Sequence, residues 1–318
     1  MRRATVHFFT VIGAHATGFL GVGVLIGLAV PPLAHALRPL LMPAMLIPLV
    51  LALVRLDWGA FGAYARRPGL IALMTVWLLG FSPLLLWLAL KPLGLPESLF
   101  VALVLATLSA PIVASAAISL LVGFDAALAV VVVVVTTALV PLTLPPLAAS
   151  LLGIALNLDM LTFMIRLGLI VGVAFGGAAV VRHLIPGETV ARSAQVLDGI
   201  AVVSMIVFAV AIMDGVTALA LEKPAYVVGA TAAAFAANVA LQGLATAVWL
   251  RLGVRQALAI GLMTGNRNMG LVLVGLGGDA PLEVIAFFAV GQIPMYILPG
   301  LLVQLYRQLL ARAQPAGR

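Results

Sequence analysis

The stretch Thr264-Gly265-Asn266-Arg267-Asn268-Met269-Gly270 places an arginine and two amides in the middle of the apolar run 256–277. Glycine favours helix about 1 kcal/mol less than alanine, so two glycines flanking three polar residues make this helix easy to unwind. A second interruption, Ser109-Ala110-Pro111-Ile112-Val113-Ala114-Ser115, stands at the centre of the run 98–122. Pro111 there lacks a backbone donor and clashes with the preceding turn. Pro111 and Asn266 are 155 residues apart. Backbone groups freed at mid-membrane depth need water, ligand or protein partners. Interruptions at matching places in two halves of a chain point to a midplane binding site. A kink and a packing glycine explain either break alone; the matched pair, one carrying an arginine, favours a site.

Working outward, composition identifies the solvent. Of 318 residues, 64% are hydrophobic and 8% charged, and mean hydropathy is +1.26. Soluble domains carry about 25% charged residues, so lipid must cover this surface. A soluble enzyme, a nucleic-acid-binding domain and a disordered chain are excluded. So is an outer-membrane barrel, whose strands alternate apolar with polar. The absence of cysteine excludes disulfides and thiolate metal sites.

Apolar runs between breaks predict ten spans: 8–30, 36–54, 68–90, 98–122, 126–152, 160–181, 194–220, 225–250, 256–277 and 284–306. The first begins after Met1-Arg2-Arg3 and runs too long for a signal core. Ten spans place both termini on one side with Arg2, Arg3, Arg55, Arg66, Arg67, Arg182, Arg192, Arg251, Arg255, Arg307, Arg312 and Arg318. Arg38, Lys91 and Lys223 fall on the other side. Twelve positive charges against three predict cytoplasmic termini and a multi-pass inner-membrane protein. The net charge of +7 is then mostly orientation charge. Five plus five spans give halves of opposite topology, with the boundary near residue 155. Pro141, Pro145 and Pro146 in the fifth span match Pro294 and Pro299 in the tenth.

Arg267 is the most informative residue. A charge at mid-bilayer costs ~2.5–3.5 kcal/mol on insertion scales, and no acidic residue lies at its depth. It is expected to face carbonyls, water or an anionic substrate. Asn238 and Gln242, one turn apart, share a face. Arg166 lies within reach of Asp159 or Asp214. Thr136 and Thr137 read as bonds to their own helix. Gly168, Gly172 and Gly176 read as a packing stripe, as do Gly23 and Gly27. His15 is open between packing and proton carriage.

Ten spans, a proline-broken fourth helix and Gly265-Asn266-Arg267-Asn268-Met269-Gly270-Leu271 in the ninth resemble the bile acid:sodium symporter family. Leu95-Pro96-Glu97 and the stretch from Asp125 through Ala127-Leu128 to Val130 add to the resemblance. It implies a single all-α transporter domain: a core of spans 3–5 and 8–10, a panel of spans 1, 2, 6 and 7, and broken helices 4 and 9 crossing at mid-membrane. It also implies substrate between core and panel and two sodium ions behind the crossing. With the register set by Gly265, Gly270 and Leu128, the family's sodium ligands fall at Leu78, Ser115, Ala116, Ala129, Val133, Met263 and Arg267. Ser115 survives and Asn268 is kept, but Leu, Ala, Val and Met side chains offer sodium no oxygen.

Two sodium ions with one carboxylate carry a net charge of +1, which Arg267 supplies beside neutral Met263. Arg267 thus reads as a tethered cation. The expected function is secondary transport of a small organic anion by alternating access. Substrate is expected at Arg267, Asn268, Asn266, Thr264, Ser115, Pro111, Asn238 and Gln292. No cofactor or further metal is expected, and sodium coupling is doubtful. The partners are the anion and the lipid bilayer, not nucleic acid. Competing readings are an ordinary sodium-coupled symporter with shifted ligands and a non-transporting sensor on the same fold. An intramembrane enzyme would need clustered catalytic groups, but His7, His15, His35 and His183 are scattered.

Overall fold

Proline at the first turn, where a missing N–H costs nothing, opens the helices at Pro31, Pro68 and Pro224. Asp125, Asp159 and Asn268 cap others by accepting from Leu128 N, Leu161 N and Leu271 N. Left-handed glycines close two of the short helices, Gly123 at φ +88° and Gly277 at φ +63°. The computed structural model describes residues 16–56, 59, 62, 64, 66–153, 159–277 and 280–313. His7, His15 and the expected repeat boundary near 155 lie outside them.

The described helices are α1 (Ala16–Ala29), α2 (Pro31–Val54), α3 (Pro68–Leu93), α4 (Glu97–Leu108), α5 (Ala114–Val122), α6 (Ala126–Leu152) and α7 (Met160–Leu184). A short α8 (Gly187–Arg192) leads to α9 (Ala194–Glu222), α10 (Pro224–Leu252), α11 (Val254–Gly265), α12 (Met269–Leu276), α13 (Leu282–Leu301) and α14 (Val303–Ala313). Seven of these are long and apolar enough to cross a membrane: α2, α3, α6, α7, α9, α10 and α13. The fourth and ninth expected spans are each two shorter helices, α4/α5 and α11/α12, so length alone does not register them. The chain is a polytopic helical membrane protein. Its outer faces are apolar: Leu121 is 82% exposed and Val228 69%, a pattern that suits lipid.

The prolines of α6 and α13 do not break those helices, which run continuously through Pro141, Pro145, Pro146 and Pro294. Pro141, Pro145 and Pro146 withdraw the N–H that would serve the carbonyls of Thr137, Pro141 and Leu142; Thr143 and Ser150 bond back to Leu139 O and Pro146 O of the same helix. α9 packs on α1 and α2, while α7 packs on α2 and α6. α10 packs on α11 and α13, and α13 on α4. The glycine expectations divide. A methyl at Gly27 would lie 2.8 Å from Val210 O, so α1 and α9 meet there closely. Gly172 and Gly176 face open space, and Gly168 only just reaches Pro141. The α7 stripe is therefore not a packing seam: spacing by four puts glycines on one face without specifying what that face meets.

Candidate functional site

Both breaks meet. Residues 109–113 and 266–268 run antiparallel, with Pro111 opposite Arg267 in an isolated β-bridge. Ile112 N donates to Asn266 O at 3.0 Å, and Asn268 N donates to Ala110 O at 2.8 Å. Each unwound strand thus satisfies backbone groups that the other exposes. α4 and α11 end at this crossing, and α5 and α12 begin there.

The Arg267 guanidinium is 2% exposed and enclosed by protein oxygens. Nε donates to Thr264 O at 2.8 Å. Nη1 donates to Leu78 O at 2.9 Å and Ser109 O at 3.0 Å. Nη2 donates to Ser82 Oγ at 2.5 Å. Thr264 and Ser109 stand at the C-terminal ends of α11 and α4, where the helix dipoles present negative charge to a cation. Leu78 O becomes available because residues 77–81 of α3 form a π-helical turn, which loosens the usual i→i−4 ladder. Of the acceptors expected for Arg267, the structure places carbonyls around it. The fork that would suit a carboxylate is closed on protein in this conformation.

The positions aligned with sodium ligands converge. Leu78, Ala129, Val133 and Met263 belong to one buried hydrophobic cluster, against which Ala116 packs. Their side chains give a hard cation no oxygen, and three neighbouring carbonyls already serve the guanidinium. The residues present do not fit a sodium ion as placed. Ser115 is fully buried on α5, and its hydroxyl has no partner among the described residues.

A line of side chains leads away from the crossing. Asn238 Nδ2 donates to Gly265 O at 3.0 Å and to Asn266 Oδ1 at 3.3 Å. Gln242 Nε2 donates to Asn238 Oδ1. Tyr306 OH of α14 donates to Gln242 Oε1 at 2.8 Å. Asn266 Nδ2 returns to Leu262 O, and Thr264 Oγ1 accepts from Trp77 Nε1 at 3.1 Å. Thus Pro111, Thr264, Asn266, Arg267, Asn268 and Asn238 are joined directly. Gln292 is buried but donates to Phe288 O of its own helix. Thr136 bonds back to Val132 O, as expected, but the buried Thr137 hydroxyl makes no such bond and has no partner among the described residues. Ser82, Trp77 and Tyr306 are participants that sequence reasoning missed; Ser82-Pro83 in the third span was the available sign of irregular helix there.

A cavity of about 30 Å³ lies behind the crossing, lined by Thr107, Ala234, Asn238, Arg267, Phe287 and Gly291 among others. Its volume suits water rather than an organic anion. On another side, Gly270 approaches Phe208 of α9 and Met45 of α2, and Ile112 packs near Met205 and Ile206. The crossing therefore meets α2 and α9 through a closed apolar seam.

Comparison with protein families matches residues 39–223 to the Sodium Bile acid symporter family. The curated proteins contain no match to this chain.

Proposed function

This chain belongs to the Sodium Bile acid symporter family, and from that premise we propose that it carries a small organic anion by alternating access without sodium at the aligned sites. The members of this family are transporters, not enzymes. In this reading ten spans form a five-plus-five inverted repeat with both termini cytoplasmic. α1, α2, α7 and α9 are the panel; the remaining membrane helices are the core. The anion binds in the seam between them, toward the N-terminal ends of α5 and α12, where dipoles favour negative charge. Asn268, half-buried at the start of α12, lies at that end. Thr264, Asn266, Asn238, Pro111, Ser115 and Gln292 shape the crossing behind it. Arg267 acts as a tethered cation: it binds the broken helices together and keeps the crossing electropositive.

One observation carries this reading: a buried guanidinium holds oxygens from α3, α4 and α11 at the paired break. Arg267→Ala would free the carbonyls of Thr264 and Ser109 and leave Leu78 O with only the Ser82 hydroxyl, which donates to it at 3.3 Å. We expect the wild-type melting temperature to be the same in sodium and in choline at fixed ionic strength. Arg267→Ala should melt lower and gain a sodium-dependent rise, because a ligand at 100 times its Kd stabilises by about 2.7 kcal/mol. A sodium-specific rise in the wild type would establish an ordinary symporter with shifted ligands. Anion binding without uptake into liposomes would establish a sensor.

A further inference from the structure

Far from the crossing, a second arginine joins α7 of the proposed panel to α12 of the proposed core. Arg166 of α7 donates from Nη1 to Leu276 O, the last carbonyl of α12, at 3.0 Å. Two glycines bring the helices together there. A methyl at Gly275 would lie 2.5 Å from Leu167 Cδ2 and 3.0 Å from Phe163 Cε2. A methyl at Gly277 would collide with the Arg166 guanidinium. The first turns of α7 thus seat on the end of a broken-helix half. The guanidinium supplies the positive charge that a helix C-terminus favours.

The other end of the fold is closed differently. Gly123, the corresponding left-handed cap of α5, faces Leu310 of α14 at 3.7 Å. That contact is apolar. Asp214 near Arg38 and His35, by contrast, ties α9 to α2 within the proposed panel. The Arg166 contact spans panel and core, so their relative movement must break it.

We infer that Arg166 is the latch of the seam at the end of the fold opposite α14, and that its bond to Leu276 O holds that mouth closed. The inference rests on the core-and-panel reading above, in which opening separates α7 from α12. A charge-assisted bond of this kind contributes enough to shift a two-state equilibrium about tenfold. Arg166 is therefore a positioning residue acting on the conformational equilibrium, not on substrate.

The native absence of cysteine makes the test direct. Leu273 is buried on α12, between Gly270, which meets Phe208 and Met45, and Gly277, which meets Arg166. Leu273→Cys reports opening of the seam, and Leu161→Cys, on the exposed face of α7, is the control. Both are labelled in proteoliposomes with a membrane-impermeant maleimide. Adding Arg166→Gln should speed labelling of Leu273→Cys about tenfold and leave Leu161→Cys unchanged. Arg166→Lys should restore slower labelling. Gly277→Ala keeps the arginine but displaces it, so it should also speed labelling, even if Arg166→Gln folds poorly. Unchanged labelling in folded Arg166→Gln or Gly277→Ala protein overturns the latch. The readout needs neither substrate nor coupling ion. Faster labelling without anion uptake would leave the latch standing and remove the transport reading; uptake with unchanged labelling would do the reverse.

Discussion

Gly265 and Gly172 look alike in sequence, each a glycine within an apolar helix, but the structure gives them opposite weights. A methyl at Gly265 would lie 2.7 Å from Asn238 O, a backbone atom that cannot turn aside. Gly265→Ala should cost about 1–3 kcal/mol by overpacking and lower the melting temperature by several degrees. Gly172 meets nothing within 4 Å. Gly172→Ala should be neutral or stabilise by up to ~1 kcal/mol through helix propensity. Thermal unfolding in detergent measures both. Arg267 was legible as a buried charge in need of acceptors because its run contains no acid. Which oxygens surround it was not legible: Leu78 and Ser82 lie far away in sequence and contribute through folding alone. Ser82→Ala should cost about 1.5–3 kcal/mol, the range for a bond to a charged group, by the same measurement.

Among elements, the broken helices were the most legible, because Pro111 and the paired glycines around three polar residues weaken regular helix locally. The π-helical turn of α3 was not. It presents Leu78 O to a cation, and no side chain announces a backbone carbonyl. α14 is similar. Its sequence reads as the end of a tenth span, yet it is a separate helix whose Tyr306 is buried against Phe124, with ring centroids 5.1 Å apart. Through Gln242 and Asn238 its hydroxyl is linked to the crossing. Tyr306→Phe removes one hydrogen bond worth about 0.5–1.5 kcal/mol. Amide protection in α14 should fall by roughly three- to tenfold in hydrogen exchange, a local opening with little change in the global melting temperature. Equal exchange in both proteins would mean that packing alone holds α14.

At the scale of the whole molecule, uptake of the transported anion should be equal in sodium and choline, measured in proteoliposomes under matched ionic strength. A sodium-dependent rate would place the coupling ion elsewhere in the fold. The sequence by itself determined the solvent, the helical class, the family resemblance and the two interruptions, because hydropathy, proline geometry and buried charge act locally. Tertiary structure alone decided that the interruptions pair strand to strand. It decided too that five distant sequence positions form one apolar cluster, with Leu78, Ala129, Val133 and Met263 at its centre and Ala116 against it. It also decided that α7 bears on α12 through Arg166 while its Gly172 and Gly176 face open space. The reason is physical: residue type fixes what a group needs, but only the packed chain fixes which distant group supplies it.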